Sequence, residues 1–127
     1  MSVDKLIHEN ESYKIIGIVY DVYNEVGYGH KEKYYQNAVS IALKKEKITF
    51  QEQVYAQLKY KDERIGKYFF DFLIDDKIVL ELKVGSIYSK KNIEQVYSYL
   101  KVNNLKLGII VNFTKNGVKV KRIVNIK

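Results

Sequence analysis

The chain has 127 residues, and its 22 lysines and arginines against 15 aspartates and glutamates give a formal net charge of +7, which favours nucleic acid or another polyanion as partner. The length suits one domain over residues 1–127. The composition, 46% apolar and 29% charged, excludes a disordered or membrane-spanning chain. The charged start, without a signal peptide, predicts a cytoplasmic protein. Because cysteine is absent and histidine occurs only twice, disulfides, thiol nucleophiles, zinc ribbons and iron–sulfur clusters are excluded, and any metal is expected to be a hard cation held by carboxylates.

Two amphipathic helices are predicted first. Apolar residues recur at helical spacing over residues 13–26, and Gly27 and Gly29 predict that the helix ends after Val26. A second helix is predicted over about residues 31–45. Apolar residues occupy two of its faces: Tyr34, Ala38, Ile41 and Ala42 on one, and Tyr35, Val39 and Leu43 on the other.

The apolar period then changes to two residues, which is typical of strands. Strands are predicted at residues 50–60, 67–74, 78–84, 107–113 and 118–124. A helix capped by Ser89 and ending near Val102 separates the third strand from the fourth. The dipeptide Asn116-Gly117 predicts a hairpin turn between the last two strands. The order ααβββαββ predicts an α/β or α+β fold, with helices flanking one mixed sheet.

The short turn at residues 75–77 predicts the register of the second and third strands. A three-residue loop pairs apolar residues with each other: Ile74 with Ile78, Phe72 with Leu80, and Phe70 with Leu82. A two-residue loop mixes polar with apolar residues and is disfavoured. On the other face the chosen register sets Asp71 opposite Glu81 and Phe69 opposite Lys83, with paired Cβ atoms about 4.5–5.5 Å apart.

Facing carboxylates repel each other unless a positive group lies between them. Either a divalent cation or the ammonium of Lys83 relieves the repulsion of Asp71 and Glu81. A metal-dependent phosphodiesterase uses both, because the carboxylates hold Mg²⁺ and the lysine orients the nucleophile or stabilises the transition state. The alternative is a solvated strand face with unrelated charges. If the repulsion is real, replacing either carboxylate raises thermal stability in metal-free buffer.

Further polar residues follow the predicted elements. Glu32 lies on the stripe of Tyr35, which points its carboxylate inward, although an acid that pairs with the helix dipole explains the position equally well. Gln95 and Tyr99 lie one turn apart and could meet a substrate or a metal-bound water, or be exposed. Four lysines near these elements contact phosphates or serve solubility: Lys31, Lys33, Lys90 and Lys91. The 12 tyrosines are interpreted as core and rim residues, and not as a base-stacking platform.

These residues together resemble the PD-(D/E)xK nuclease superfamily, and more closely its GxxExxY group. The motifs are Gly29-x-x-Glu32-x-x-Tyr35, Asp71 with Glu81-Leu82-Lys83, and Gln95-x-x-x-Tyr99, which is similar to an element of helicase-associated exonucleases. The resemblance spans about residues 13–124 and implies a restriction-endonuclease-like core. Phe70 replaces the proline of the family name, and no additional DNA-reading domain is expected within these 127 residues.

The resemblance also implies roles for these residues. Glu32, Asp71, Glu81 and the Leu82 carbonyl would bind Mg²⁺ or Mn²⁺, Lys83 would be catalytic, and Gln95 and Tyr99 would position substrate or water. The implied activity is hydrolysis of DNA by metal-activated water, in repair, recombination or defence, and small folds of this kind often act as homodimers. Two alternatives stay open: a non-catalytic nucleic-acid-binding or assembly module, and a metal-free RNA-cleaving toxin.

Overall fold

The computed structural model describes residues 7–126. Its elements are the helices α1 (Glu9–Val26) and α2 (Glu32–Lys45), the strands β1 (Phe50–Tyr60), β2 (Glu63–Ile74) and β3 (Ile78–Val84), helix α3 (Lys90–Val102), and the strands β4 (Leu107–Thr114) and β5 (Gly117–Val124). This order confirms the prediction ααβββαββ. Within residues 7–126, no helix is both long and apolar enough to cross a bilayer. The expectation that a signal peptide is absent concerns residues that lie largely outside this range.

One mixed sheet forms the centre of the fold, with the strand order β1-β2-β3-β4-β5. The strands β3 and β4 are parallel, and the other neighbours are antiparallel. Helices α1 and α2 cover one face of the sheet, and α3, which connects β3 to β4, covers the other. Every residue of β4 is buried, as its apolar sequence predicts.

Helix α2 buries one of its two apolar stripes. Tyr35 and Val39 are fully buried, whereas Tyr34 and Ile41 are each 56% exposed. The stripe of Tyr35, on which the sequence predicts an inward Glu32, is therefore the buried one, and the stripe of Tyr34 contributes only the partly buried Ala38 and Ala42. The ring of Tyr35 stacks on Phe113 of β4 with centroids 4.1 Å apart, and this tertiary contact selects the Tyr35 stripe.

Strands β1 and β2 exchange their inward and outward faces at one position. Phe72 packs with the α1–α2 side of the core, but Phe70 packs with the α3 side, although the two residues are separated by two positions. On β1, Gln53 has a left-handed backbone with φ 52°, which interrupts the alternation beside this point. The predicted pairing of Phe70 with Leu82 on one core face is therefore wrong, because Leu82 stays on the α1–α2 side.

Beyond this point the β1–β2 hairpin forms an arm, which comprises residues 54–60 and 63–70. Pairing of β2 with β3 begins at Phe72, so the arm portion of β2 has β1 as its strand neighbour. Leu58 and Tyr60 are exposed there, although the alternation of apolar and polar residues in the sequence predicts that both share one face with Val54 and Ala56. The prediction that tyrosines are mainly core and rim residues is also wrong. Tyr35 is buried, but seven tyrosines are exposed: Tyr13, Tyr20, Tyr28, Tyr34, Tyr55, Tyr60 and Tyr97.

Candidate active site

The site forms where strands β2 and β3 stop pairing. Backbone pairing matches Ile74 with Ile78 and Phe72 with Leu80, which confirms the three-residue loop. At the next position, hydrogen bonds from the backbone to carboxylates replace the hydrogen bonds between the two backbones. The Asp71 N–H donates to Glu81 Oε1 over 2.9 Å, and the Leu82 N–H donates to Asp71 Oδ2 over 2.7 Å. The two acids therefore meet as predicted, but each side chain binds the opposite backbone instead of facing its partner across a regular ladder.

Both carboxylates are buried, and burial governs their protonation. Asp71 is 8% exposed and Glu81 is 5% exposed. Desolvation, and then the charge of Glu81, raise the pKa of Asp71 to about 7, against the smaller opposing effects of the Leu82 N–H and Lys83. Desolvation also raises the pKa of Glu81, while the Asp71 N–H and Lys83 act to lower it. The pair is thus costly to ionise without additional positive charge.

Lys83 supplies one positive charge next to the pair. Its Nζ lies 3.7 Å from Glu81 Oε2, and its side chain is 39% exposed, so the ammonium pairs with Glu81 while part of the side chain stays open to solvent. A partly exposed ion pair stabilises the fold by about 1 kcal/mol or less. One ammonium therefore does not offset the burial of two carboxylates.

Asn92 of α3 contacts the same carboxylate and was not predicted from the sequence. Its Nδ2 lies 3.4 Å from Glu81 Oε2, and its backbone N–H donates to the Ser89 cap, which orients the first helical turn. Asn92 is nine-tenths buried and lies on the same stripe as Val96 and Leu100. The sequence does carry a signal for Asn92, because it is a polar residue on an otherwise apolar helical stripe.

Glu32 reaches the site from the first turn of α2, and Tyr35 fixes that turn. The Tyr35 hydroxyl donates to the Gly27 carbonyl over 2.6 Å, which ties the loop between α1 and α2 to the core. Gly29, with φ 106°, lies in the left-handed region that favours glycine. Desolvation raises the pKa of Glu32, Lys83 lowers it and Asp71 raises it, so these groups act on each other across the site.

A cavity of about 540 Å³ joins the predicted residues Glu32, Asp71, Glu81 and Lys83. The remaining lining residues are Lys33, Gln36, Asn37, Gln53 and Phe69. Of these, only Lys33 was selected from the sequence. Gln53 and Phe69 reach the cavity through the change of faces in β1 and β2, whereas Gln36 and Asn37 reach it from α2, and none of the four belongs to a motif.

Gln95 and Tyr99 do not line this cavity. The Tyr99 ring contacts the Phe70 ring with centroids 5.0 Å apart and lines a separate cavity beside the arm. Gln95 is partly buried one turn earlier on α3. Their positioning roles stay predictions, as do phosphate contacts from the exposed Lys31, Lys90 and Lys91.

The donor set suits a hard divalent cation. In residues 7–126 no three acidic or histidine side chains are close enough to share an ion, so the buried pair of Asp71 and Glu81 is the core of the candidate site. Carboxylate oxygens are preferred ligands of Mg²⁺. The Leu82 N–H donates to Asp71, and the Leu82 carbonyl stays a predicted further ligand. Two buried acids with raised pKa values therefore lie together at the head of the cavity.

Similarity to known proteins agrees with this geometry. The sequence model of the PD-(D/E)XK nuclease superfamily matches residues 9–123. No curated protein matches the chain. The fold is similar to the crystal structure of SSO0001, with a TM-score of 0.53 and 19% sequence identity; the similarity covers 73% of this chain and 49% of that protein. At this identity the likeness concerns the fold alone, and the chain spans about half the length of that protein.

Proposed function

Because the chain belongs to the PD-(D/E)XK nuclease superfamily, we propose that it is a metal-dependent nuclease that hydrolyses DNA phosphodiester bonds. The observation that carries the proposal is the buried pair of Asp71 and Glu81 beside Lys83, in a cavity large enough for part of a nucleotide. Buried carboxylates repel the phosphates of a nucleic acid and are of no use to a passive binding module. A divalent ion held by the two carboxylates would instead attract those phosphates.

Asp71, Glu81 and the Leu82 carbonyl would hold Mg²⁺ or Mn²⁺. Glu32 lines the same cavity but is not close enough to the pair to share an ion in this structure, so its proposed metal-binding role requires its side chain to move toward the pair when the ion binds. When bound, the ion lowers the pKa of a coordinated water and neutralises charge on the phosphate. Asn92 donates to Glu81 and keeps one of its oxygens in a fixed orientation.

Lys83 is the proposed catalytic amine. In hydrolysis a water oxygen attacks phosphorus and gives up one proton to solvent, the bond from phosphorus to one sugar oxygen breaks, and that oxygen takes up a proton from solvent. The Lys83 ammonium, part exposed toward the cavity, orients the attacking water or stabilises the charge that grows on the phosphate oxygens. Gln95 and Tyr99 are proposed to position substrate from α3. A cytoplasmic location, homodimerisation and a role in repair, recombination or defence stay predictions.

Incubation with supercoiled plasmid tests the proposal. The wild type is expected to nick the plasmid with Mg²⁺ or Mn²⁺ and not with EDTA. Asp71→Asn and Lys83→Met are expected to lower the rate at least about a hundredfold. Lys44→Met, which removes an exposed lysine at the far end of α2, is the charge-matched control and should cleave normally. Cleavage in EDTA, cleavage that survives both site substitutions, or binding without any cleavage would each overturn the proposal.

A further inference from the structure

Next to the carboxylates the cavity has a wall without charge. Gln36 and Asn37 lie one turn beyond Glu32 on α2, and Gln53 lies on β1. Each amide offers both a donor and an acceptor, which is the pattern that recognises the edges of nucleobases. Gln53 adopts its left-handed backbone at this wall. Strained backbone at a non-glycine residue is typical of functional sites.

An exposed aromatic pair continues this wall along the arm. Phe69 lines the cavity two residues before Asp71 and is 46% exposed, and Tyr55 beside it is 42% exposed. Their rings meet edge to face with centroids 5.6 Å apart. The Tyr55 hydroxyl also accepts a hydrogen bond from Arg64 Nη1 over 3.2 Å. The pair is therefore held in place while its apolar surface stays open to solvent.

Cations flank the aromatic pair on the side away from the carboxylates. Arg64 is held against Tyr55, and Lys67 lies two residues before Phe69 and so on the same face of β2. The order along this surface is thus buried carboxylates with Lys83, then amides, then aromatic rings, then cations. Proteins that bind single-stranded nucleic acid combine aromatic stacking surfaces with basic residues that follow the phosphates.

We propose that this surface selects unpaired nucleotides, so that the substrate is single-stranded or locally unpaired nucleic acid. A base next to the cleaved bond stacks on Phe69, its edge contacts the amides of Gln36, Asn37 and Gln53, and Arg64 and Lys67 contact the phosphates that follow. A paired base in a duplex has its faces covered by its neighbours and cannot stack on Phe69. This inference rests on the proposed nuclease function for the identity of the site, but the binding it describes requires no cleavage.

Equilibrium binding in EDTA tests the inference separately from catalysis. Fluorescence anisotropy is measured with a labelled single strand of about 15 nucleotides, the same strand in a duplex, and the same strand with abasic positions. Asp71→Asn serves as the background, because it removes a charge that repels phosphate. We expect the single strand to bind at least about tenfold more tightly than the duplex and the abasic strand.

The decisive variants are Phe69→Ala and Phe69→Leu in that background. Both are expected to weaken single-strand binding about tenfold, with little change for the duplex and an unchanged salt dependence, because stacking releases no counterions. Lys67→Ala should instead lower the salt slope by about 0.7. Tyr13→Ala removes an 82% exposed aromatic on α1 and is the matched control. Thermal melting shows that each variant is folded.

Equal or tighter binding of the duplex, or a Phe69→Ala variant that binds like Tyr13→Ala, would overturn the inference even if the protein cleaves plasmid. Conversely, ring-dependent binding of the single strand without metal-dependent cleavage would support this surface and contradict the nuclease proposal.

Discussion

Replacing Asp71 by asparagine is expected to stabilise the metal-free protein. The substitution removes the charge, and the amide oxygen keeps an acceptor for the Leu82 N–H, which lies 2.7 Å from Asp71 Oδ2. Burial and the charge of Glu81 raise the pKa of Asp71 from 3.8 to about 7, so its ionisation costs the folded state about 4 kcal/mol. The new amide group also brings a donor into a buried place, and this cost offsets part of the gain. We therefore expect Asp71→Asn to raise the free energy of unfolding by about 1–3 kcal/mol near neutral pH.

The gain depends on pH in a defined direction. Since the pKa of Asp71 is higher in the folded protein than in the unfolded chain, the folded state binds the additional proton between pH 3.8 and about pH 7. Stability contributed by this group is therefore present at low pH and decreases as the pH rises, by up to about 1.4 kcal/mol per pH unit. In Asp71→Asn this contribution is absent, so the difference between the two proteins grows with pH.

Urea unfolding followed by circular dichroism, in EDTA at pH 5 and pH 8, measures both effects. Asp71→Ala is the informative contrast, because it removes the charge but leaves the Leu82 N–H without an acceptor, at a cost of about 1–3 kcal/mol. Mg²⁺ at ten times its dissociation constant should stabilise the wild type by about 1.4 kcal/mol and leave Asp71→Asn unchanged. The reasoning is refuted if Asp71→Asn is no more stable than the wild type at pH 8, or if its advantage shrinks as the pH rises.

Four further predictions concern single side chains. Lys83→Met should abolish cleavage and change the free energy of unfolding by less than about 1 kcal/mol; a larger loss would indicate a structural role. Tyr35→Phe should lower that free energy by about 1 kcal/mol in urea, because a buried hydroxyl loses its carbonyl partner, and an unchanged value would contradict the anchoring role. Gly108→Ala should cost about 1–3 kcal/mol, because its Cβ would lie 2.5 Å from a valine methyl of α3, whereas Gly17→Ala in an open part of α1 should not destabilise; equal effects would refute the close approach. Asn92→Ala should weaken Mg²⁺ binding about 10–100-fold in calorimetry, and unchanged affinity would show that its contact with Glu81 is incidental.

The sequence predicted which acids meet, but not how they meet. The turn at residues 75–77 and the alternation in β3 were sufficient to bring Asp71 and Glu81 together. Because Phe69 and Phe70 are both aromatic, the alternation of apolar and polar residues in β2 does not show which of the two rings faces the core. The left-handed backbone at Gln53, where the faces change, has no signal in residue type, and the wall with Phe69 was therefore missed.

Helix α2 shows the same limit. Tyr34 and Tyr35 each begin an apolar stripe, and helical periodicity cannot choose between them. The choice depends on a ring contact with Phe113, which is 78 residues away in the chain. On α3, Asn92 contacts the carboxylate, whereas Gln95 and Tyr99 of the predicted motif do not line the cavity.

Anomalous diffraction from crystals grown with Mn²⁺ tests the central claim most directly. A peak is predicted between Asp71 and Glu81, about 2.1 Å from one oxygen of each carboxylate and from the Leu82 carbonyl. A peak that avoids this pair, or ordered carboxylates with no peak between them at saturating Mn²⁺, would contradict the account.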